Sequence, residues 1–297
     1  MRVLVSGATG LIGSALSSEL ENKGHRVIVL SRSEPSSEKT IRWDPSRGQL
    51  DASRLEGIDA VVHLAGESII GRWTGEKKRR IRESRVQGTL LLAESIAGLS
   101  EKPRAMVCAS GINYYGDRGN ELLREESEPG DAFLSEVVKE WEAAADPARE
   151  VSIRVANLRF GVVLSPEGVA LGMTLPIFKL GGGGKVGSGR QWWSWVALDD
   201  VVGALIHALE NDFVEGPVNV VAPNPLTNAE YTKVLGEVLN RPTLVPVPAP
   251  AIRAVLGQVA DELLLASMRV EPAKLKETGY EFRYPGLEGA LRHLLDR

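Results

Sequence analysis

The fold of this chain is decided near the N-terminus, by the stretch RVLVSGATGLIG at residues 2–13. Its first part has the apolar, β-branched character of a buried strand, and its last part begins a helix. The turn between them needs Gly7, Gly10 lets the backbone come close to a pyrophosphate, and Gly13 lets the helix lie tightly on the strand. Free amides at the helix start would hold the phosphates. The predicted dinucleotide contacts are Gly7, Thr9, Gly10, Leu11, Ile12 and Gly13.

Outward from this stretch, strands and helices alternate through the first half of the chain. We predict strands at 2–6, 26–31, 39–43, 60–64, 104–109 and 151–158, and helices at 11–23, 75–98 and 132–146. This order predicts an α/β fold, a Rossmann doubly wound parallel sheet covered on both faces. The alternation loosens after about residue 165. We therefore expect an NADP-binding Rossmann domain over 1–165 and a smaller C-terminal α/β substrate lobe over 166–297, with part of 196–222 returning to the sheet.

The composition limits the partners of the chain. Hydrophobic residues make up 43% and charged residues 25%, which is typical of a soluble globular protein. A formal net charge of −4 without a long run of one sign predicts no nucleic-acid and no membrane partner, so we expect a small-molecule substrate. The first strand leaves no room for a signal peptide and no apolar run is long enough to span a bilayer, which predicts a cytoplasmic protein. A monomer and a homodimer both stay open.

Metal and disulfide chemistry find little support in the sequence. The single cysteine, Cys108, lies in an apolar run and predicts a buried strand residue rather than a disulfide. Four scattered histidines predict no metal site. Gly184-Lys185 is similar to a phosphate loop, but Val186 stands where a serine or threonine would bind magnesium. Asp199-Asp200 is better interpreted as a helix N-cap than as a metal pair.

The end of the second strand predicts the type of dinucleotide. An NAD site needs a carboxylate there for the ribose diol, whereas this chain has Leu30-Ser31-Arg32-Ser33. Arg32 can hold a 2′-phosphate through a bidentate pair, and Ser31 adds a hydroxyl. The sequence therefore favours NADP as cofactor, with an ordinary surface arginine as the alternative.

Small residues also end the fourth strand, in His63-Leu64-Ala65-Gly66. Small side chains at the carboxyl end of a parallel strand leave room for a dinucleotide to lie across the sheet. We predict cofactor contacts at Leu64, Ala65 and Gly66. The alternation along the strand makes His63 a core residue.

The second half offers candidates for substrate binding. Trp192, Trp193 and Trp195 could stack on a ring-shaped ligand or form a hydrophobic hinge between lobes. The segment Gly187-Ser188-Gly189-Arg190 is a candidate mobile flap. Its Arg190 could bind an anionic group of the substrate.

Several further motifs occur in a characteristic order. These are HLAGE at 63–67, RWT at 72–74, SRVQGT at 84–89, SGINYYG at 110–116, KEWEAAA at 139–145 and GSGRQWWSWV at 187–196. Together with the glycine loop they resemble the extended short-chain dehydrogenases/reductases, and more closely the atypical epimerase family branch. The resemblance implies cofactor contacts at Arg85 and, through the backbone, at Val162. It also implies that Glu67, Arg72 and Trp73 face the substrate, although a surface loop with one buried tryptophan is an equal alternative.

The active site of the parent family is incomplete in this chain. There, a tyrosine and a lysine four residues later share one helix face, and the lysine helps the tyrosine to transfer a proton. No tyrosine here is followed by lysine at that spacing, and the matching place has Ser135 and Lys139. We expect Ser135 to face the nicotinamide and Lys139 to keep a ribose contact, with a solvated helix lysine as the alternative for Lys139. Ser110 is the nearest candidate for the hydroxyl that binds substrate oxygen, and Tyr115 is expected to lie beneath the nicotinamide.

Two functions follow from these motifs. The first is an NADP(H)-dependent oxidoreductase or epimerase-like enzyme acting on an unidentified carbonyl or sugar-like substrate. Its proton would come from a water held by Ser110 and Lys139, or from Glu67 or Arg72. The alternative is a non-catalytic NADP(H)-binding sensor or regulatory protein, in which loss of the tyrosine reflects loss of the reaction.

Overall fold

The computed structural model describes residues 1–34 and 37–296, so Arg297, the end of the predicted lobe, lies outside the described residues. The strands are β1 (Arg2–Ser6), β2 (Arg26–Ser31), β3 (Thr40–Asp44), β4 (Gln49–Leu50), β5 (Ala60–His63), β6 (Ala105–Gly111), β7 (Leu122–Leu123), β8 (Arg154–Phe160), β9 (Val162–Leu164), β10 (Trp192–Trp193), β11 (Trp195–Ala197), β12 (Gly216–Val220), β13 (Leu226–Thr227) and β14 (Arg269–Val270). The helices are α1 (Leu11–Asn22), α2 (Gly75–Ala97), α3 (Phe133–Ala143), α4 (Asp146–Glu150), α5 (Val169–Gly172), α6 (Leu175–Lys179), α7 (Leu198–Glu210), α8 (Asn228–Leu239), α9 (Ala249–Leu256), α10 (Ala273–Glu277) and α11 (Leu287–Leu294). None of these helices is long and apolar enough to cross a membrane.

One large sheet organises the molecule. Its eight strands follow the order β12-β8-β6-β5-β1-β2-β3-β4, and all neighbours are parallel except β3 and β4. This confirms the predicted Rossmann fold. The chain runs outward from β1 to β3 on one side and then returns to β5 on the other. The strand order therefore reverses between β1 and β5, and ligands of such sheets bind at the carboxyl ends of the strands at that point.

Alternation along β1 supplies both faces of the sheet with core residues. Val3 and Val5 lie in the cluster that includes residues of α1 and α7, whereas Leu4 lies in the cluster that includes residues of α2 and α4. All three side chains are fully buried. Because both faces are covered, the central strands are continuous apolar runs, as expected of a parallel sheet.

The second half builds its own core and also completes the sheet. Trp195, Phe178, Tyr231 and Leu291 belong to a third buried cluster that joins α6, α8 and α11. By contrast, β12 lies beside β8 as the outer strand of the large sheet. The later part of the chain thus contributes to both lobes.

The predicted N-cap at Asp199-Asp200 is wrong. Helix α7 is capped by Ala197 without a side-chain hydrogen bond, and both aspartates lie in its first turn. There the buried Asp200 accepts hydrogen bonds from the backbone amides of Arg283 (2.8 Å) and Tyr284 (3.0 Å). The carboxylate gains from the helix dipole in this position and also anchors the C-terminal segment.

Candidate dinucleotide-binding crevice

The three glycines of the first turn serve different needs. Gly7 has φ +71, and a Cβ there would stand 2.9 Å from the backbone of Leu64 and Ala65. A Cβ on Gly13 would stand 2.1 Å from the Gly7 carbonyl oxygen. Gly10 is exposed, has an ordinary φ, and its Cβ would meet only the Gly7 oxygen, at 3.3 Å. The chain itself therefore requires Gly7 and Gly13, whereas Gly10 keeps the space in front of the turn open.

The start of α1 is suited to bind an anion. Gly10 occupies the N-cap position, and no side chain in the described parts of the protein caps the helix. Ser14 is the residue whose amide first closes a helical turn, on the Gly10 oxygen at 2.8 Å. The preceding amides, those of Leu11, Ile12 and Gly13, form the positive end of the helix dipole. Thr9 is exposed beside them.

Ser6 holds the segment after β5, at Leu64 and Ala65, against this turn. Its hydroxyl accepts hydrogen bonds from the amides of Leu64 (3.1 Å) and Ala65 (3.3 Å) and shares one with His63 Nδ1 (2.6 Å). Burial, with the nearby charge of Arg85, lowers the pKa of His63 to about 4. His63 is therefore a neutral core residue that orients Ser6, and Leu64, Ala65 and the exposed Gly66 border the crevice.

Arg32 follows the end of β2 at the rim of the crevice. Its guanidinium is exposed, and its charge contributes to lowering the pKa of Glu67, after the larger effects of Lys77 and Arg80. Ser31 lies one residue before it and accepts the amide of Ser33 at 3.1 Å. Arg32 therefore lies close enough to Glu67, in the loop after β5, for the two charges to interact.

Two residues of α2, Lys77 and Arg85, hold Glu67 by hydrogen bonds. The Glu67 carboxylate lies 2.6 Å from Lys77 Nζ, while its carbonyl oxygen accepts Arg85 Nη1 at 2.9 Å. Burial lowers the pKa of Arg85 to about 10, and its guanidinium lies over the ring of Trp141 at 5.0 Å. A Cβ on Gly66 would stand 3.4 Å from this guanidinium. Arg85 therefore fixes the shape of the 64–67 segment.

Arg72 and Trp73 separate in the structure. Arg72 is exposed, whereas Trp73 is half-buried, donates its indole N–H to Ile69 O (2.8 Å) and meets the Phe133 ring edge-on at 5.2 Å. Trp73 therefore anchors the loop between β5 and α2. Only Arg72 of this pair projects freely.

Ser135 and Lys139 both have partners within the chain. Ser135 is fully buried and donates to the Asn113 carbonyl at 2.7 Å, and a Cβ on Gly130 would stand 3.0 Å from its oxygen. The Lys139 side chain is 44% exposed and pairs with Glu136 at 3.2 Å. The serine hydroxyl thus satisfies the Asn113 carbonyl, and the lysine, one helical turn later, extends to the surface beside Glu136.

Ser110 and Tyr115 also have structural partners. Ser110 donates to Glu142 at 2.6 Å, and both oxygens of that carboxylate accept Arg159 at 2.8 Å. Tyr115 is fully buried, donates to Asn219 (2.7 Å) and accepts from Arg159 (3.0 Å). Burial raises the pKa of Tyr115 to about 12. The hydroxyls of Ser110 and Tyr115 are therefore both engaged within the protein, and the place of Tyr115 beneath the nicotinamide stays a prediction.

This buried ion pair is the main feature that sequence reasoning missed. Burial works to lower the pKa of Arg159, but the hydrogen bonds and charge of Glu142 raise it overall. A signal was available, because an arginine inside the apolar strand VANLRF needs a buried partner. The partner lies on α3, at a distance of 17 residues that no local pattern specifies.

The remaining candidates lie near the paired strands β9 and β11. The Val162 amide donates to Ser194 O at 2.9 Å, which joins β9 to the start of β11. Trp193 lies 5.3 Å from Tyr231, and Trp195 is buried in the lobe core. The tryptophans thus support packing of the lobe. Arg190 stays exposed in its glycine-flanked turn.

The C-terminal lobe also reaches across to α3. The Glu262 carboxylate accepts the Leu134 amide at 2.8 Å, and the Glu262 carbonyl accepts Asn113 Nδ2 at 3.1 Å. A cavity of about 270 Å³ opens beside these contacts, with Asp131, Arg253 and Asp261 among its lining residues. No group of three or more metal-ligating side chains occurs in the described residues.

A parallel sheet of this order with a glycine turn after β1 defines a Rossmann-type dinucleotide-binding protein of the short-chain dehydrogenase/reductase class. Comparison with known proteins agrees. A sequence model of the NAD dependent epimerase/dehydratase family matches residues 3–222, and the chain belongs to this family. A second model, for a domain of unknown function (DUF1731), matches residues 247–294.

The relatives extend over the whole chain. The epimerase family protein MT2273 of Mycobacterium tuberculosis is 38% identical over 296 residues, which cover 99% of this chain and 98% of that protein. The crystal structure of the human epimerase family protein SDR39U1 (isoform 2) with NADPH superposes with a TM-score of 0.90 at 37% identity, with full coverage of both chains. The crystal structure of a nucleoside-diphosphate sugar epimerase from Corynebacterium glutamicum superposes with a TM-score of 0.83 at 40% identity, over 99% of this chain and 58% of that one.

Proposed function

We propose that this protein binds NADP(H) at the carboxyl ends of β1 and β5. The observation that carries the proposal is the uncapped start of α1 behind an open Gly10, because free amides at a helix start bind a pyrophosphate. Arg32 would hold the 2′-phosphate, and the segment Leu64–Gly66 would support the ribose side. The NADPH in the related human structure supports the same choice of cofactor.

We further propose that the chain is an oxidoreductase or epimerase-like enzyme for a carbonyl or sugar-like substrate. NADP(H) would supply hydride transfer, and the protein would orient the substrate and exclude water. The substrate-binding part would be the lobe over 166–297, with Arg190 as an exposed cation that can meet an anionic group. Arg72, exposed in the loop between β5 and α2, would be a second such cation on the dinucleotide-binding part. The N-terminal domain would end near residue 165.

The proton in this reaction would not come from the side chains of α3 or β6. Ser135 donates to a backbone carbonyl, Lys139 lies in solvent, and Ser110 donates to Glu142. Lys77 lowers the pKa of Glu67, which makes that carboxyl a poor acid at neutral pH. Arg72, as a permanent cation, can stabilise an oxyanion but cannot act as an acid at neutral pH. We therefore assign proton delivery to solvent at the mouth of the crevice.

A non-catalytic NADP(H) sensor is the second candidate, and one observation favours it. Each of the groups Ser110, Ser135 and Tyr115 makes a buried structural hydrogen bond. Incubation with a panel of carbonyl and sugar-like substrates, once with NADPH and once with NADP⁺, separates the two functions. An oxidoreductase changes the NADPH absorbance with some substrate of the panel, and an epimerase-like enzyme converts a substrate without net change in the cofactor, which product analysis detects. A sensor binds NADP(H) and converts none of the substrates.

A further inference from the structure

The outer surface of the C-terminal lobe carries a group of exposed aliphatic side chains, which we call the aliphatic face. Of the twelve large apolar side chains exposed in the described residues, seven belong to two short segments of this lobe. They are Val169, Met173, Ile177, Leu180, Leu244, Val245 and Val247. Leu180 is 89% exposed and Leu244 is 83% exposed. A cluster of exposed apolar side chains of this kind is typical of a surface that binds another protein or a membrane.

The first segment, 169–180, is apolar on two sides. Leu171, Leu175 and Phe178 are buried in the lobe core, while Met173, Ile177 and Leu180 point outward. A helical segment that is apolar all round normally has both sides covered. Here the chain covers only one of them.

The glycine run Gly181–Gly184 brings the second segment beside the first. A Cβ on Gly183 would stand 2.6 Å from the Phe178 ring, and a Cβ on Gly184 would stand 1.8 Å from the Val245 oxygen. Val245 N donates to Gly183 O at 3.1 Å, and Val247 N donates to Lys185 O at 2.9 Å. The glycines that resemble a phosphate loop are thus spacers that align the two halves of the aliphatic face.

Within the two stretches of chain that form this face, all charged side chains are positive. Between Glu167 and Asp199, and again between Glu237 and Asp261, the sequence has no acidic residue. Lys179, Lys185 and Arg241 lie in these segments, and none has a carboxylate within 4.0 Å among the described residues. The net charge of −4 conceals this local excess of positive charge, which is why composition predicted no membrane partner.

We propose that the aliphatic face docks on an anionic lipid bilayer, with the aliphatic side chains among the acyl chains and Lys179, Lys185 and Arg241 at the phosphates. Lysines suit this position because their stems lie along apolar groups while the ammonium reaches the headgroups. Protein interfaces are instead enriched in Tyr, Trp and Arg and depleted in Lys. A second copy of the chain fits less well, because a two-fold contact would bring the same cations together. Such peripheral docking needs no spanning helix.

Vesicle flotation tests the proposal with the full chain. The wild-type protein is expected to float with vesicles of one part phosphatidylglycerol to three parts phosphatidylcholine, and to stay behind with phosphatidylcholine alone. Leu180→Glu/Leu244→Glu should weaken binding roughly tenfold or more, and Lys179→Gln/Lys185→Gln about fivefold for each cation removed. Phe213→Glu is the matched control, because Phe213 is 85% exposed just before β12 and should leave binding unchanged.

Thermal melting of each variant verifies the fold without reference to the dinucleotide, so failure of the NADP(H) proposal leaves this assay interpretable. Absence of flotation by the wild type, or equal loss in Phe213→Glu, would overturn the proposal. It is also overturned if the protein is a dimer that Leu180→Glu/Leu244→Glu dissociates, or if only an acidic protein binds the face.

Discussion

The two sides of the crevice are built from different parts of the chain. Around β1 and β5 the surface is mainly backbone, with amides of α1 and of the 64–67 segment set by glycines and by Ser6. Around α3 and β6 it is made of side chains, and these are joined in hydrogen bonds that cross the molecule, such as Ser110–Glu142–Arg159. The first side is open to a ligand, whereas the second side stabilises the fold. Binding and proton transfer can therefore be lost independently in this architecture.

The strongest way to break the second side is Glu142→Ala. The change leaves Arg159, which is 3% exposed, as an unpaired buried cation, so we expect a loss of about 3–5 kcal/mol in the free energy of unfolding. Urea unfolding measures it. Glu136→Ala, an exposed carboxylate on the same helix, is the control and should change stability by less than about 0.5 kcal/mol. A loss for Glu142→Ala below about 1 kcal/mol would show that the pair is not structural.

His63, buried beneath the segment 64–67 and bonded to Ser6, makes stability depend on pH. Its folded pKa of about 4 lies below the ordinary value of 6.5, so the unfolded chain binds the extra proton first as pH falls. The contribution is complete above about pH 6.5 and is lost towards pH 4, by about 3 kcal/mol. The free energy of unfolding at several pH values measures it, with His63→Gln as the comparison. Identical pH dependence of both proteins would contradict the account.

Arg32 tests which dinucleotide the crevice selects. Arg32→Ala should weaken the affinity for NADPH roughly tenfold or more, because a bidentate charged pair is worth about 1.5–3 kcal/mol, and should leave the affinity for NADH unchanged. Arg26→Ala, at the exposed start of the same strand, is the control. Isothermal titration with both cofactors gives the affinities. Equal loss for NADPH and NADH would move the phosphate contact elsewhere.

The smallest effects separate the two residues at the place of the missing pair. Ser135→Ala should cost about 1 kcal/mol, because the Asn113 carbonyl loses a buried donor, while NADPH affinity stays the same. Lys139→Ala should change stability by less than about 0.5 kcal/mol and also leave affinity unchanged. Thermal melting and NADPH titration provide the readouts. Weaker NADPH binding by Lys139→Ala would restore the ribose contact expected from the family.

The sequence predicted the sheet and its glycine turn, but it did not predict the hydrogen-bond partners of the side chains around α3 and β6. Glycine spacing after a strand is a local pattern with a strict geometric cause, so the turn at Gly7–Gly13 and the sheet around it were accessible. The spacing along one helix placed Ser135 and Lys139 together. The surroundings of Ser135 are set by Asn113 and Gly130, which are distant in sequence, and the surroundings of Lys139 by Glu136 and solvent. The Glu142–Arg159 pair joins distant elements, and no local signal specifies its partner.

Titration of NADPH into wild type and Gly10→Val tests the central claim, that the backbone at the start of α1 holds the dinucleotide. The variant should melt close to the wild-type temperature, because its Cβ meets only the Gly7 oxygen at 3.3 Å, and should lose NADPH binding because the side chain fills the phosphate space. Gly289→Val, where a Cβ meets nothing within 4 Å, should keep both stability and binding. Full NADPH affinity in a folded Gly10→Val protein would show that the turn is structural only and that the crevice binds its ligand elsewhere.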